Sequence, residues 1–233
     1  MNDTAVLSRL PVAKMFLLGE TVPYRAHQVL SQNFYRKGGD AITAFSFEMG
    51  EGISREVLDD DCLYWVLEGE AVMFAGDCRG AAYPGDCMVV PAGTPHAVDM
   101  VSRSKIMVVT VGSLVDREKA MDKERIKNIN KSEVVVLRDL VAVEKDKVSS
   151  ITLAQKDNLT MTVFAFDANT GIGGHSSDGD AMVNAIDGEG EITIGGVNYT
   201  LKVGESIIMP AGIPHAVNAK SKTFKMLLVV VKP

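Results

Sequence analysis

The chain has 233 residues, 46% of them hydrophobic and 23% charged, which is the composition of an ordinary globular protein with one large or two average domains. Its formal net charge of -6 argues against a nucleic-acid surface, which needs clustered basic residues. Pro11 and Lys14 interrupt the N-terminal stretch and no long apolar run follows, so we expect neither a signal peptide nor a membrane span. The three cysteines form no CxxC pair, which indicates reduced thiols and a cytoplasmic protein.

The first half of the chain reads as short apolar strands separated by Gly, Pro and Asp turns. Strands are predicted at residues 43–47, 63–67, 72–74 and 88–90. The last of these lies in the stretch 85–99, GDCMVVPAGTPHAVD, where a glycine turn leads into a strand. A Pro/Gly corner then places His96 at the start of the next strand. Strands this short and this evenly spaced are typical of a β-sandwich or barrel.

Residues 113–131, SLVDREKAMDKERIKNINK, separate the two halves of the chain. This segment is charged, lacks Gly and Pro and is rich in helix formers, so we predict a short helical linker with a solvated face. The predicted organisation is therefore an N-terminal domain over 1–112, a linker over 113–131 and a C-terminal domain over 132–233.

The second half repeats the first at an offset of 119 residues, and we expect the two halves to align without a gap. Phe45 aligns with Phe164 and His96 with His215. The predicted strands recur at residues 162–166, 182–186, 191–194 and 206–209, and a Gly-Gly pair at 195–196 suits a two-residue hairpin turn. Two copies of one all-β domain are the economical explanation.

The stretches 85–99 and 204–218 (GESIIMPAGIPHAVN) resemble the second signature motif of the cupin superfamily. The chain as a whole resembles bicupins, and uncharacterised bacterial cupin-2 conserved-barrel proteins carry a stretch like 173–196, GGHSSDGDAMVNAIDGEGEITIGG. This resemblance implies two tandem jelly-roll β-barrels. It also implies a divalent metal (Mn, Fe, Ni or Zn) in the lumen, bound by an H-x-H pair and a glutamate of the first motif together with the histidine of the second.

The C-terminal copy keeps part of that ligand set. His175 occupies the first ligand position, Ser177 the second, and Asp180 stands beside the glutamate position, while His215 of the second motif is intact. One interpretation is a metal site of His175, His215 and Asp180 completed by water. The other is a metal-free lumen whose histidines are hydrogen-bonded to water. Either way, these four residues are the predicted ligand pocket.

The N-terminal copy departs further from the pattern. Glu56 occupies the first ligand position, Cys62 the glutamate position with Asp61 beside it, and only His96 remains of the imidazoles. Glu56, Asp61 and His96 are the predicted pocket residues of this copy. Three interpretations stay open: a metal site of carboxylate, imidazole and thiol, a buried Glu56–His96 acid–base pair without metal, and a purely structural domain. No basic residue stands close to Cys62 in sequence to activate it, so we predict an inert thiol.

The pattern predicts a bicupin that binds a small molecule in its C-terminal barrel. The alternative is a metal-dependent enzyme of dioxygenase, decarboxylase or isomerase type, which rests on analogy because cupins support many chemistries. We expect no nucleic-acid or membrane partner. The duplication also predicts either a monomeric pseudo-dimer or a homo-oligomer.

Overall fold

The computed structural model describes residues 6–112 and 125–233, and this part of the chain divides into two compact units. The N-terminal unit is Gly19–Leu137, and the C-terminal unit joins Arg138–Pro233 to the described residues up to Leu18. The units thus differ from the predicted domains, because the segment preceding each repeat belongs with the other repeat.

The structure tests only part of the predicted linker helix over residues 113–131. Residues 113–124 lie outside the described residues. Residues 125–131 contain no helix, because Ile126 is fully buried and the backbone of Lys131 forms a parallel bridge with Val89. Pairing with the sheet takes precedence here over the helix propensity of the residues.

Nineteen strands occur in the described residues, and two short 3₁₀ helices, Leu18–Thr21 and Leu137–Leu140, mark where the chain passes from one unit to the other. The strands up to the first repeat's end are β1 (Phe16–Leu17), β2 (Leu30–Lys37), β3 (Asp40–Phe47), β4 (Gly52–Glu56), β5 (Asp61–Glu68), β6 (Ala71–Ala75), β7 (Cys78–Ala82), β8 (Asp86–Val90), β9 (His96–Met100) and β10 (Ser104–Val111). The remaining strands are β11 (Val134–Val136), β12 (Val148–Gln155), β13 (Leu159–Phe166), β14 (Gly171–His175), β15 (Asp180–Ile194), β16 (Val197–Lys202), β17 (Glu205–Met209), β18 (His215–Asn218) and β19 (Phe224–Val231).

The N-terminal unit consists of two antiparallel sheets. One has the order β11-β8-β5-β10-β3-β2 and the other β4-β9-β6-β7 among the described strands. Alternate side chains of both sheets point into one apolar core, which includes Phe47, Tyr64, Met73, Met88 and Ile106. The facing sheets therefore enclose a barrel-like interior into which β5 and β9 both project side chains.

The C-terminal unit has the same arrangement with one difference in continuity. Its main sheet has the order β1-β17-β15-β19-β13-β12, and β14, β16 and β18 form the second layer. The long strand β15 runs through both layers, pairing first with β17 and β19 and then with β16 and β18. In the N-terminal unit the equivalent path is divided between β5 and β6. The predicted hairpin is confirmed, since Gly195 and Gly196 take φ angles of 56° and 85° between β15 and β16.

The internal repeat is confirmed by the backbone, with one correction to its alignment. Left-handed φ angles recur at the same offset of 119, for example at Arg9 (63°) and Asn128 (61°). The last strand of each repeat, β10 or β19, departs from this offset by one residue. Phe45 lies opposite Ile106, whereas the equivalent Phe164 lies opposite Met226. The offset between Ile106 and Met226 is 120, so the second repeat carries one extra residue in the turn before β19.

The helical content of the described residues is confined to the two single-turn 3₁₀ segments. None of the helices in residues 6–112 and 125–233 has the length and apolar character required to cross a membrane. The prediction of two tandem all-β domains is confirmed.

Candidate functional site in the C-terminal barrel

The C-terminal unit encloses a cavity of about 380 Å³ between its two sheets. Most of its wall is apolar, with side chains from both layers that include Phe164, Ile172, Met209, Met226 and Leu228. Polar side chains are grouped at one part of the lining: His175, Ser176, Ser177, Asp178, His215 and Lys232. A cavity of a few hundred Å³ with apolar walls and a few convergent polar groups has the usual form of a small-molecule site.

Strand pairing brings the two histidines of this lumen together. Antiparallel pairing of β14 with β18 places His175 directly opposite His215. Their ring centroids are 4.6 Å apart and the ring planes are inclined at 67°, an edge-to-face arrangement. His215 is 2% exposed, whereas His175 belongs to the exposed mouth of the barrel. One imidazole therefore lies inside the lumen and the other at its entrance.

Backbone carbonyls determine which nitrogen of each ring carries the hydrogen. Nδ1 of His175 lies 3.0 Å from the carbonyl oxygen of Gly173, and Nδ1 of His215 lies 2.9 Å from that of Ile213. A carbonyl oxygen only accepts, so Nδ1 donates in both residues and Nε2 of the neutral ring keeps its lone pair. Among residues 6–112 and 125–233, none donates a hydrogen bond to either Nε2.

The environment of His215 favours its neutral form. Burial lowers the pKa of His215 below the usual 6.5, and the adjacent His175 lowers it further, against a smaller opposing effect of the hydrogen bond to Ile213. At neutral pH the buried imidazole is thus a hydrogen-bond acceptor at Nε2. The site is therefore suited to a group that donates a hydrogen bond.

We expect the depressed pKa of His215 to make the C-terminal unit less stable in mild acid. Below pH 6.5 the unfolded chain binds a proton at this histidine while the folded chain does not, so stability is complete above pH 6.5 and falls as pH drops toward the folded pKa. Titration of the imidazole resonances by NMR should give a midpoint below 6.5 for His215. The exposed His27, assigned through His27→Asn, is the internal control, and a His215 midpoint at or above 6.5 would contradict the prediction.

The other two predicted pocket residues of this barrel have different surroundings. Ser177 lines the cavity, and its hydroxyl oxygen accepts a 3.2 Å hydrogen bond from the backbone N–H of Gly179. Asp180 is 1% exposed and does not line the cavity. Its side chain on β15 contacts the loop that precedes His215 and the N-terminal segment at Val6 and Leu7.

Both carboxylate oxygens of Asp180 are occupied by backbone amides. Oδ2 accepts from the N–H groups of Val6 (2.6 Å) and Leu7 (3.0 Å), and Oδ1 accepts from Ala211 (3.0 Å). The expectation that Asp180 turns toward a metal in the lumen therefore needs correction: this carboxylate joins two backbone segments. Asp180 is therefore not a ligand of the lumen.

Asp61 has the same arrangement in the N-terminal unit. Its Oδ2 accepts from the N–H groups of Arg125 and Ile126, each at 3.0 Å, and its Oδ1 from Ala92 at 2.9 Å. Asp61 is 4% exposed, so it too serves the backbone instead of the pocket in which it was expected. The sequence carries a signal for this role, since both aspartates and their partners recur at the offset of 119.

The lumen of the N-terminal unit is organised around a buried tyrosine. The hydroxyl of Tyr64 donates a 2.7 Å hydrogen bond to Nε2 of His96, whose Nδ1 lies 3.1 Å from the carbonyl oxygen of Thr94. Oε1 of Glu56 is 3.5 Å from the same Nε2, and Glu56 is partly open to solvent. Glu56 and His96 are thus brought together as expected neighbours, but Tyr64 is the closer partner of the imidazole. Sequence alone does not say which face of β5 carries Tyr64, because adjacent residues of a strand point to opposite faces.

The thiol of Cys62 is also part of this lumen. Its sulfur makes a 3.6 Å contact with Oγ1 of Thr110, and burial raises the pKa of Cys62 to about 11. At neutral pH the group is a protonated thiol, which is a poor nucleophile and a poor metal ligand. This supports the interpretation of Cys62 as inert.

Comparison with known proteins identifies the family. Residues 162–231 match the model of the cupin domain family. The chain belongs to the cupin superfamily. A cupin 2 conserved barrel domain protein from Leptotrichia buccalis is 27% identical, with a TM-score of 0.81 over 98% of this chain and 100% of that chain. No curated protein matches the chain significantly.

Two further solved structures are similar to the chain. A conserved protein of unknown function from Streptococcus pyogenes is 47% identical, covering 48% of this chain and 97% of that chain, with a TM-score of 0.47. A salicylate 1,2-dioxygenase from Pseudaminobacter salicylatoxidans is 12% identical, with a TM-score of 0.58 over 83% of this chain and 71% of that chain, which is a likeness of fold alone. The predicted tandem jelly-roll architecture of a bicupin is confirmed.

Proposed function

We propose that this bicupin binds a small molecule in the lumen of its C-terminal barrel, where the imidazoles of His175 and His215 hold it. The observation that carries the proposal is the pair of Nε2 atoms without a protein donor beside an apolar cavity of about 380 Å³. His175 and His215 both line the cavity, so water or a bound ligand completes these hydrogen bonds.

The distribution of polarity around the cavity supports this choice. Apolar residues such as Met226 and Leu228 would contribute affinity because a bound ligand covers their apolar surface from water. The few polar groups would fix the orientation of the ligand. The mouth carries Lys232 and Asp178, whose Nζ and Oδ2 atoms are 3.8 Å apart and largely solvated. This pair is screened by water and contributes little binding energy compared with the lumen itself.

A fragment screen followed by NMR tests the proposal. We expect bound fragments to perturb His215 and the wall residues, and the variants His175→Phe and His215→Phe to weaken binding about 5- to 10-fold for each hydrogen bond lost. His27→Asn, at an exposed histidine of the other unit, is the matched control and should leave affinity unchanged. Fragments that bind elsewhere, or that bind both lumen variants as well as the wild type, would contradict the proposal.

The second candidate function is a metal-dependent enzyme. One observation favours it: metal-binding histidines usually donate their other ring N–H to a carbonyl, as His175 and His215 do at Nδ1. The remaining donors do not fit, because Asp180 is occupied and Ala181 stands at the glutamate position. Within the described part of the chain, no three His, Cys, Asp or Glu side chains are grouped to hold a metal ion. We therefore place this function second.

Metal analysis separates the two candidates. Protein purified without a histidine tag is expected to contain well under one equivalent of Mn, Fe, Ni or Zn, because two imidazoles alone make a weak site. About one equivalent per chain that disappears in both His175→Ala and His215→Ala would reverse the order of the two functions. The same variants must be shown by circular dichroism to remain folded.

A further inference from the structure

We propose that the ligand of the C-terminal lumen is a hydroxyl compound with an otherwise apolar body, and that its hydroxyl donates a hydrogen bond to Nε2 of His215. This inference rests on the proposed function and deepens it by naming a ligand class. The observation behind it lies in the other barrel, where a side chain of the protein itself occupies the corresponding place.

In the N-terminal barrel, the imidazole of His96 already accepts a hydrogen bond from a side chain of the same barrel. The Tyr64 hydroxyl lies 2.7 Å from Nε2 of His96, and the ring centroids are 5.4 Å apart. The aromatic body of Tyr64 is 2% exposed and packs in the apolar core with Met88 and Val108. An apolar ring that presents one hydroxyl to the imidazole is therefore a stable occupant of this lumen.

The C-terminal barrel repeats the acceptor but lacks the internal donor. His215 stands at the position of His96, and Ile213 at that of Thr94, so both imidazoles are held by the same backbone hydrogen bond in the same tautomer. The position of Tyr64 is taken by Val183, which has neither ring nor hydroxyl. The barrel that lacks the tyrosine thus has a cavity and an imidazole acceptor with no protein donor at Nε2.

The acceptor character of the site selects the ligand's chemistry. A neutral imidazole with its hydrogen on Nδ1 offers only a lone pair at Nε2, which attracts O–H and N–H groups and repels carboxylate and carbonyl oxygens. His175 replaces Glu56 at the mouth, and its Nδ1 likewise donates to a backbone carbonyl. The walls beside them are Phe164, Met209 and Leu228, which favour an apolar body. A weakly acidic alcohol or phenol meets both requirements.

NMR titration with three para-substituted toluenes tests this inference. The probes are p-cresol, which is the tyrosine side chain itself, p-xylene, in which a methyl group replaces the hydroxyl, and p-toluate, which carries a carboxylate. We expect p-cresol to bind the wild-type lumen about 5- to 10-fold more tightly than p-xylene, and p-toluate to bind no better than p-xylene. In His215→Phe the preference for p-cresol should disappear, and Val183→Tyr should exclude all three probes by filling the lumen.

The outcomes separate this inference from the proposed function. Equal binding of p-cresol and p-xylene, or tighter binding of p-toluate, overturns the hydroxyl class while lumen binding stands. Binding of none of the three probes, when other fragments do bind the lumen, also overturns it. Failure of every fragment to bind overturns the proposed function itself. If Val183→Tyr does not fold, the wild-type and His215→Phe titrations still decide the question.

Discussion

Replacing Asp180 with alanine is expected to lower the free energy of unfolding by roughly 3–5 kcal/mol, because one buried and two partly buried backbone N–H groups lose a charged acceptor at once. The loss should extend beyond one loop. Oδ1 holds the backbone at Ala211, four residues before His215, and Oδ2 holds the segment at Val6 and Leu7. We therefore expect the variant to release that segment and to disturb the lumen histidine as well.

Urea unfolding followed by circular dichroism measures this loss, and hydrogen exchange locates it. The matched control is Asp178→Ala, two residues away at the mouth of the barrel, where a solvated aspartate with a 92% exposed side chain should cost less than about 0.5 kcal/mol. The amides of Val6, Leu7 and Ala211 should exchange faster in the Asp180 variant alone. Equal stability of the two variants would show that Asp180 does not hold these segments together.

The sequence position of Asp180 explains why the sequence alone assigned this residue to the lumen. Asp180 stands beside the family's glutamate position, where a one-residue bulge in the strand would turn its side chain toward the lumen. Its actual partners include amides of Val6 and Leu7, 174 and 173 residues away in the chain. No local pattern reports such a contact. The recurrence of an aspartate at Asp61 was the one available signal, and a repeated structural contact explains it as well as a repeated ligand does.

The parts of the fold that follow from local rules were predictable. The period-2 alternation of apolar residues, the Gly and Pro turns and the 119-residue repeat are all properties of short stretches, and they give strands, hairpin and duplication. The grouping of residues 6–18 with Arg138–Pro233 depends instead on long-range pairing, such as Phe16 with Ser206. The same applies to residues 125–131, where burial against a sheet overrides the helix propensity.

The site shows the same division between local and long-range information. That His175 and His215 lie on one lumen follows from their motif positions, and the register places them opposite each other. Their tautomers do not follow from sequence, because they depend on the direction of the carbonyls at Gly173 and Ile213. Nor does the role of Tyr64, since neighbouring residues on β5 alternate between the lumen and the opposite face. Packing decides which of two adjacent aromatics turns inward.

Truncation of Tyr64 is the second change for which we expect a large effect. Tyr64→Val removes a buried ring from the N-terminal core and leaves Nε2 of His96 without its donor, so we expect a loss of roughly 3–4 kcal/mol. Tyr64→Phe keeps the ring and removes only the hydroxyl, for which roughly 1–2 kcal/mol is expected. Chemical denaturation of both variants gives the two contributions separately, with the half-exposed Tyr83, changed to Phe, as the control that should cost almost nothing.

The same pair of variants connects stability to the chemistry of the lumen. If the Tyr64 hydroxyl stabilises the protein through His96, the double variant Tyr64→Phe, His96→Phe should lose less than the sum of the single losses, because the buried acceptor is removed together with its donor. Tyr64→Val recreates in the N-terminal barrel the combination of valine and unsatisfied imidazole found at Val183 and His215. Added p-cresol should then restore part of the lost stability, and p-xylene should restore less. Additive losses, or equal rescue by both probes, would show that the ring alone matters and that the imidazole does not recognise the hydroxyl.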